Sequence, residues 1–147
     1  MNATEMKTAS RQFLDAVWNQ GKLDVIEDFV SPNCKLIDPS GPFDYTGPAG
    51  YKSYVLDCRR AFPDLQFKIE DQIVEGDKIV TFAKITATHA NEFLGVAPSH
   101  KKASVSLIAI SRFEGEKVVE IFSLWDALTF LRTAGVFGAQ AFSGTHA

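Results

Sequence analysis

The hydrophobic pattern of the chain changes its period near residue 65. Before this point apolar residues recur at intervals of three and four, which is the spacing of one helix face. This spacing predicts helices over residues 4–19, 23–29 and 48–62. After it, Leu65, Phe67 and Ile69 alternate with polar residues, which predicts a half-exposed strand. Residues 79–90 and 103–113 and a closing hairpin continue the series.

The order of these elements indicates an α+β fold, because helices come first and four long antiparallel strands follow. A brief strand is expected over residues 34–38, followed by a Pro- and Gly-rich loop over residues 39–47. That loop carries Phe43 and Tyr45. The two aromatic residues fit either an ordinary surface loop or a lid folded over a cavity.

Asp126 lies where the last strand gives way to a short amphipathic helix ending at Gly135. Aspartate is a preferred residue at a helix start, where its oxygen accepts a free backbone N–H. A carboxylate among apolar neighbours is also typical of a proton-transfer group with a raised pKa. Alternation places Phe122, Leu124 and Asp126 on one face, so we expect all three to border an apolar cavity together with Trp18.

Composition restricts the class of protein. The chain has 147 residues, 46% of them hydrophobic, and a net charge of −3, which suits one globular domain and argues against nucleic-acid binding. We expect a single domain over residues 1–135 and a flexible tail over residues 136–147. A polar N-terminus and the lack of a long apolar run predict a cytoplasmic protein without a membrane span. Cys34 and Cys58 fit reduced, buried thiols.

Candidate ligands and cofactors are few. Twelve phenylalanines suggest an aromatic-lined cavity, although ordinary aromatic core packing is the simpler explanation. Histidine, cysteine and carboxylate residues show no spacing typical of metal ligands, and no glycine-rich phosphate-binding motif is present. We therefore expect neither a metal nor a cofactor.

Several short motifs, taken in order, resemble the SnoaL-like polyketide cyclase family, a branch of the nuclear-transport-factor-2-like (cystatin-like) superfamily. The resemblance extends over residues 5–135 and rests on Gly47-Pro48-Ala49-Gly50-Tyr51, Ala61-Phe62-Pro63-Asp64-Leu65, Glu75-Gly76-Asp77, Thr88-His89, Glu92-Phe93-Leu94-Gly95, Pro98, Arg112-Phe113 and Trp125-Asp126-Ala127-Leu128. It implies a cone-shaped, curved, antiparallel or mixed sheet wrapped around a pocket by three N-terminal helices. Several family positions differ, among them Phe122, where tryptophan is common, so we expect a reshaped pocket.

The resemblance also implies a reaction. Family cyclases close a ring by intramolecular aldol addition on a hydrophobic polyketide ester, with an aspartate at the position of Asp126 as acid and base and no cofactor. We expect a small hydrophobic ligand and a homodimer. A non-catalytic binding module and a hydroxylase-type relative remain the alternatives.

The remaining candidate site residues follow from position. His89, at a strand end, and Arg112, near the last hairpin, are candidate polar partners of Asp126, although a structural histidine and a surface arginine are the simpler interpretations. The expected pocket walls are Trp18, Phe122, Leu124, Phe43 and Tyr54.

Overall fold

The computed structural model describes residues 1–137 as four α-helices and one six-stranded sheet. The helices are α1 (Ala3–Leu14), α2 (Ile26–Phe29), α3 (Gly47–Ala61) and α4 (Ala127–Thr133). The strands are β1 (Val30–Asp38), β2 (Phe43–Thr46), β3 (Gln66–Glu75), β4 (Lys78–Thr88), β5 (Lys102–Glu114) and β6 (Lys117–Trp125). The flexible tail predicted from residue 136 falls mostly outside the described residues.

The sheet has the strand order β2-β1-β6-β5-β4-β3 and is not closed into a barrel. Strands β3 to β6 form the predicted antiparallel meander, whereas β1 runs parallel to β6. The predicted α+β class and mixed, curved sheet are confirmed. The loop predicted over residues 39–47 contains β2, which pairs with β1 and buries Phe43. The prediction of a loop throughout this segment is therefore wrong, because part of it is an edge strand.

The first helix buries Met6, Ser10 and Phe13 along one face. It continues into a π-helical turn, Asp15–Asn19, which places Trp18 in the core. The Asn19 amide then bonds both backbone groups of Phe67, donating to its carbonyl at 2.9 Å and accepting from its N–H at 2.7 Å. These bonds tie the end of the helix to the start of β3.

The third helix packs against β1 and β2 and begins at a glycine for a steric reason. Gly47 has φ of +70°, and a Cβ on it would lie 2.8 Å from the Pro32 carbonyl oxygen. Glycine alone tolerates this backbone and this approach. Pro48 follows at the first turn, where its missing N–H costs no hydrogen bond. The buried face of α3 then presents Tyr51 and Tyr54 to the sheet.

The outer face of the sheet carries a continuous group of apolar side chains. Directly paired residues share a face of the sheet. The strand register therefore aligns these apolar side chains in one row across five strands and in a shorter row beside it. We call this group the outer patch, and its members are Ile37, Phe122, Ile110, Val80, Ile73, Leu124, Ile108 and Phe82. A charged row borders it along one side, formed by Lys35, Glu120, Arg112, Lys78 and Glu75. The patch is an exposed apolar surface with a polar rim.

None of the helices within residues 1–137 has both the length and the apolar composition that a membrane span requires.

Candidate ligand cavity

A cavity of about 120 Å³ lies between the inner face of the sheet and the helices. Side chains from all four α-helices, the π-helical turn, strands β1 and β3 to β6 and some connecting segments form its wall. Most of them are aromatic or aliphatic. The hydroxyl groups in the wall belong to Ser10, Tyr51, Tyr54, Thr81, Ser111 and Ser123. A dry cavity of roughly 150 Å³ holds one benzene ring, so this cavity encloses about one ring of a ligand.

Two of the expected pocket residues form the wall, and a third lies behind it. Trp18 and Tyr54 line the cavity. Phe43 is buried but does not line it. Its ring instead contacts two lining residues, with ring centres 5.4 Å from Tyr54 and 5.9 Å from Phe93.

The expected placement of Phe122 and Leu124 in the pocket is wrong. Both lie on the outer face, 43% and 51% exposed, while Ile121 and Trp125 from the same strand line the cavity. The cause is a β-bulge: Phe113 pairs with Val118, but Arg112 pairs with Glu120. The extra residue reverses the inward and outward alternation of side chains along β6. Val118 is buried before the bulge, and after it Ile121 is buried instead of Phe122.

Asp126 is exposed and caps α4. Its Oδ1 accepts the Thr129 backbone N–H at 3.0 Å and its Oδ2 accepts the Thr129 hydroxyl at 2.5 Å. These bonds favour the ionised carboxylate and lower its pKa. The helix-cap interpretation is confirmed, whereas the expected inward position and raised pKa are wrong. Trp125 faces inward, so Asp126 follows on the opposite side.

Arg112 belongs to the charged row on the outer face. Its guanidinium bonds Glu114 at 3.2 Å and Glu120 at 3.3 Å, and these carboxylates raise its pKa. Because this face is turned away from the cavity, the predicted pairing of Arg112 with a ligand or with Asp126 is wrong. The simpler interpretation as a surface arginine holds.

His89 is buried, 2% exposed, at the end of β4. Its Nδ1 accepts the Ser99 backbone N–H at 3.2 Å, so Nε2 carries the ring hydrogen. Nε2 has no hydrogen-bond partner among the described residues, and the ring packs against Phe62 and Phe130, which line the cavity. Burial lowers the pKa of His89, which favours the neutral ring. The structure does not bring His89 together with Asp126 in the cavity wall.

Asp38, at the end of β1, is the buried carboxylate that sequence reasoning missed. It is 1% exposed, and its Oδ2 accepts the Tyr54 hydroxyl at 2.9 Å and the Trp125 Nε1–H at 3.0 Å. Its Oδ1 accepts the Ser40 backbone N–H at 2.9 Å and also the Ser40 hydroxyl. Two of these donors belong to cavity walls, so Asp38 fixes the positions of Tyr54 and Trp125.

A family model of SnoaL-like polyketide cyclases matches residues 8–134, and the resemblance noted in the sequence is thereby confirmed. The chain belongs to the SnoaL-like polyketide cyclase family. No curated protein matches it. AclR, a candidate hydroxylase from Streptomyces galilaeus, is 27% identical with a TM-score of 0.80 over 93% of this chain and 100% of its own.

Two candidate polyketide cyclases are also similar to this SnoaL-like chain. The one from Acidithiobacillus ferrooxidans is 26% identical with a TM-score of 0.77, over 93% of this chain and 100% of its own. The one from Bacillus cereus is 30% identical with a TM-score of 0.72, over 92% of this chain and 84% of its own.

Among the described residues, the side chains that line the cavity include no carboxylate. The two cysteines of the chain, Cys34 and Cys58, are buried free thiols. Burial raises the pKa of Cys34 to about 11, and it raises the pKa of Cys58 by a larger amount. Within residues 1–137, no three His, Cys, Asp or Glu side chains converge as a metal site would require.

Substitution of Asp126 separates its capping role from a role in the cavity. We expect Asp126→Asn to change the free energy of unfolding little and Asp126→Ala to lower it by about 1 kcal/mol, because only asparagine can still cap α4. The cap contributes stability above the unfolded pKa of the carboxyl group, and this contribution is lost as the pH falls through the lowered folded pKa. Urea denaturation measures both effects. Loss of ligand binding in folded Asp126→Asn would contradict this assignment.

Proposed function

We propose that this SnoaL-like protein binds a small hydrophobic, polyketide-like molecule in the cavity. The observation that supports the proposal is the wall itself, which presents aromatic and aliphatic side chains with a few hydroxyl groups. Burying apolar ligand surface contributes roughly 25 cal/mol per Å², and a preformed cavity avoids much of the cost of ordering the protein. Its volume encloses about one ring, so a longer ligand extends through an opening in the wall.

Ring closure by intramolecular aldol addition is the second candidate function, and Asp38 is the observation in its favour. The reaction needs a base for the carbon acid and a donor for the new alkoxide. Asp38 is the buried carboxylate that two wall residues, Tyr54 and Trp125, contact directly. Holding a folded chain near its attack geometry would supply much of the remaining advantage. The similarity to AclR is the one observation that supports a hydroxylase-type activity.

Binding and ring closure differ in what Asp38 must do. A carboxylate oxygen that already accepts two hydrogen bonds must release a donor before it can take a proton. Both oxygens of Asp38 are in that position. The geometry therefore supports ligand binding more strongly than acid/base catalysis.

Filling the cavity tests the proposal. Ala109 lines the cavity on β5, whereas Ser104 lies on the outer face of the same strand. We expect wild-type protein to bind acetophenone and 2-acetylnaphthalene, and Ala109→Leu to weaken binding by roughly tenfold or more because leucine occupies ligand space. Isothermal titration calorimetry measures both affinities, with Ser104→Leu as the matched control. The proposal fails if neither compound binds, or if Ala109→Leu and Ser104→Leu bind equally well.

A further inference from the structure

We propose that Tyr51 and Tyr54 select a ligand that carries both a carbonyl and a hydroxyl group. This inference rests on the proposed function and defines the ligand's polar groups. The two tyrosines are three residues apart on α3, so they lie on the same helix face, and both line the cavity. Their hydroxyl groups have opposite hydrogen-bonding roles, and these roles follow from their protein partners.

Tyr51 is left with a proton to donate. The indole Nε1–H of Trp18 donates to the Tyr51 oxygen at 3.0 Å. An indole nitrogen is only a donor, so in this bond the tyrosine oxygen is the acceptor. Among the described residues the Tyr51 hydroxyl has no acceptor of its own. It is therefore suited to a ligand carbonyl oxygen.

Tyr54 is left with lone pairs to accept. Its hydroxyl donates to Oδ2 of Asp38 at 2.9 Å. Every other group bonded to this carboxylate is also a donor, namely Trp125 Nε1–H and the two Ser40 groups. Asp38 is therefore the acceptor in all four bonds. Because the Tyr54 proton is committed to Asp38, the oxygen of Tyr54 is suited to a ligand hydroxyl group.

Both tyrosines remain protonated near neutral pH. Burial raises the pKa of Tyr51 and Tyr54 well above the usual range for a phenol. The donor at Tyr51 and the acceptor at Tyr54 thus persist as neutral groups. In an apolar cavity, a ligand group that does not match its partner leaves a buried polar atom unpaired, which costs affinity.

The ligand class that satisfies both tyrosines is a hydroxy ketone or the enol of a diketone. Such a compound presents an acceptor to Tyr51 and a donor to Tyr54. An aldol addition converts a carbonyl group into a hydroxyl group beside a second carbonyl, so its product has the same pair of groups. The two tyrosines would hold that product, whether or not this protein forms it.

A set of matched single-ring probes tests the selection. The probes are 3- and 4-hydroxyacetophenone, which carry both groups, acetophenone, which has only the carbonyl, 4-ethylphenol, which has only the hydroxyl, and ethylbenzene, which has neither. We expect one hydroxyacetophenone to bind roughly 3- to 10-fold more tightly than each single-group probe, as one additional buried hydrogen bond provides. Calorimetric dissociation constants for all five compounds measure the preference.

The two tyrosine variants should lose different parts of that preference. Tyr54→Phe should abolish the advantage over acetophenone, and Tyr51→Phe the advantage over 4-ethylphenol. Tyr45→Phe is the matched control, since Tyr45 does not line the cavity and bonds Asp57 at 3.1 Å in an exposed position. Thermal melts establish that each variant is folded.

The outcomes separate this inference from the proposed function. If all five compounds bind with equal affinity, the cavity binds hydrophobic ligands but the tyrosines do not select them, and this inference is overturned. It is also overturned if either variant weakens every probe by the same factor, because the tyrosine then only supports the fold. If no compound binds the wild-type protein, the proposed function itself fails.

Discussion

Replacing Phe122 with glutamate is expected to leave the protein folded and to convert a homodimer into a monomer. Phe122 pairs with Ile37 on one side and Ile110 on the other, which places it within the longer row of the outer patch. Burying this patch against a second copy would stabilise the dimer by the hydrophobic effect, whereas a carboxylate there would be buried without a partner. We expect the dimer dissociation constant to rise by a factor of roughly 100 or more.

The rim of the outer patch favours a second copy of the chain as its partner. Lys35, Arg112 and Lys78 share the charged row with Glu120 and Glu75, so both signs are present. A rim of mixed charge can complement itself, whereas a rim of one sign would repel its own copy. The homodimer expected from the sequence is therefore proposed to form through this face.

Sedimentation velocity over a range of protein concentrations measures this effect. Thr86→Glu is the matched control, because Thr86 lies on the same face of β4, beyond the patch and beside Ser104. The control should remain dimeric. A wild-type protein that is monomeric at tens of micromolar, or a Phe122→Glu variant that is still dimeric, would refute the proposed interface.

Asp38→Ala should lower the free energy of unfolding by about 2 to 4 kcal/mol. The carboxylate is buried, and its removal leaves the Tyr54 hydroxyl and the Trp125 Nε1–H without their acceptor. Ser40 loses two bonds at the same time. Asp38→Asn should also destabilise the protein, because its amide group faces donors on both sides and cannot accept from all of them.

Urea denaturation followed by circular dichroism measures this loss of stability. Asp44→Ala is the control, since Asp44 is exposed on the neighbouring strand β2. The tryptophan emission at low urea concentration should shift in Asp38→Ala, because the Trp125 indole is released from the carboxylate. A loss below about 1 kcal/mol would mean that the buried cluster contributes little to the fold.

The order and type of the long elements could be predicted because their signals are local. A helix face or an alternating strand is visible within about ten residues, and the long strands β3 to β5 follow their predicted ranges closely. The strand β2 was missed because it is short and lies in a Pro- and Gly-rich segment. Its existence depends on pairing with β1, which the segment itself does not encode.

The inward face of β6 could not be predicted because the strand is apolar on both faces. Ile121 and Phe122 are equally suitable for a core, and only the bulge near Val118 decides which of them points inward. That bulge is a product of pairing with β5. Because of this one extra residue in the register, Phe122, Leu124 and Asp126 lie outside the cavity and not in its wall.

The role of Asp38 could not be predicted from its own neighbourhood either. It ends the brief strand predicted over residues 34–38 and precedes Pro39, a position equally typical of a surface turn. Its partners Tyr54 and Trp125 are 16 and 87 residues away in sequence. Only the folded chain brings a strand end, a helix face and the last strand together around this carboxylate.

The cavity draws its wall from the same residues that form the hydrophobic core. Trp18, Tyr51 and Phe67 line the cavity and also belong to the buried core cluster. A bound ligand would therefore act as a missing core side chain and add its own binding free energy to folding. At a ligand concentration 100 times the dissociation constant, this linkage contributes about 2.7 kcal/mol. The natural ligand can thus be sought in a mixture of metabolites by the rise in melting temperature alone, before any reaction is known.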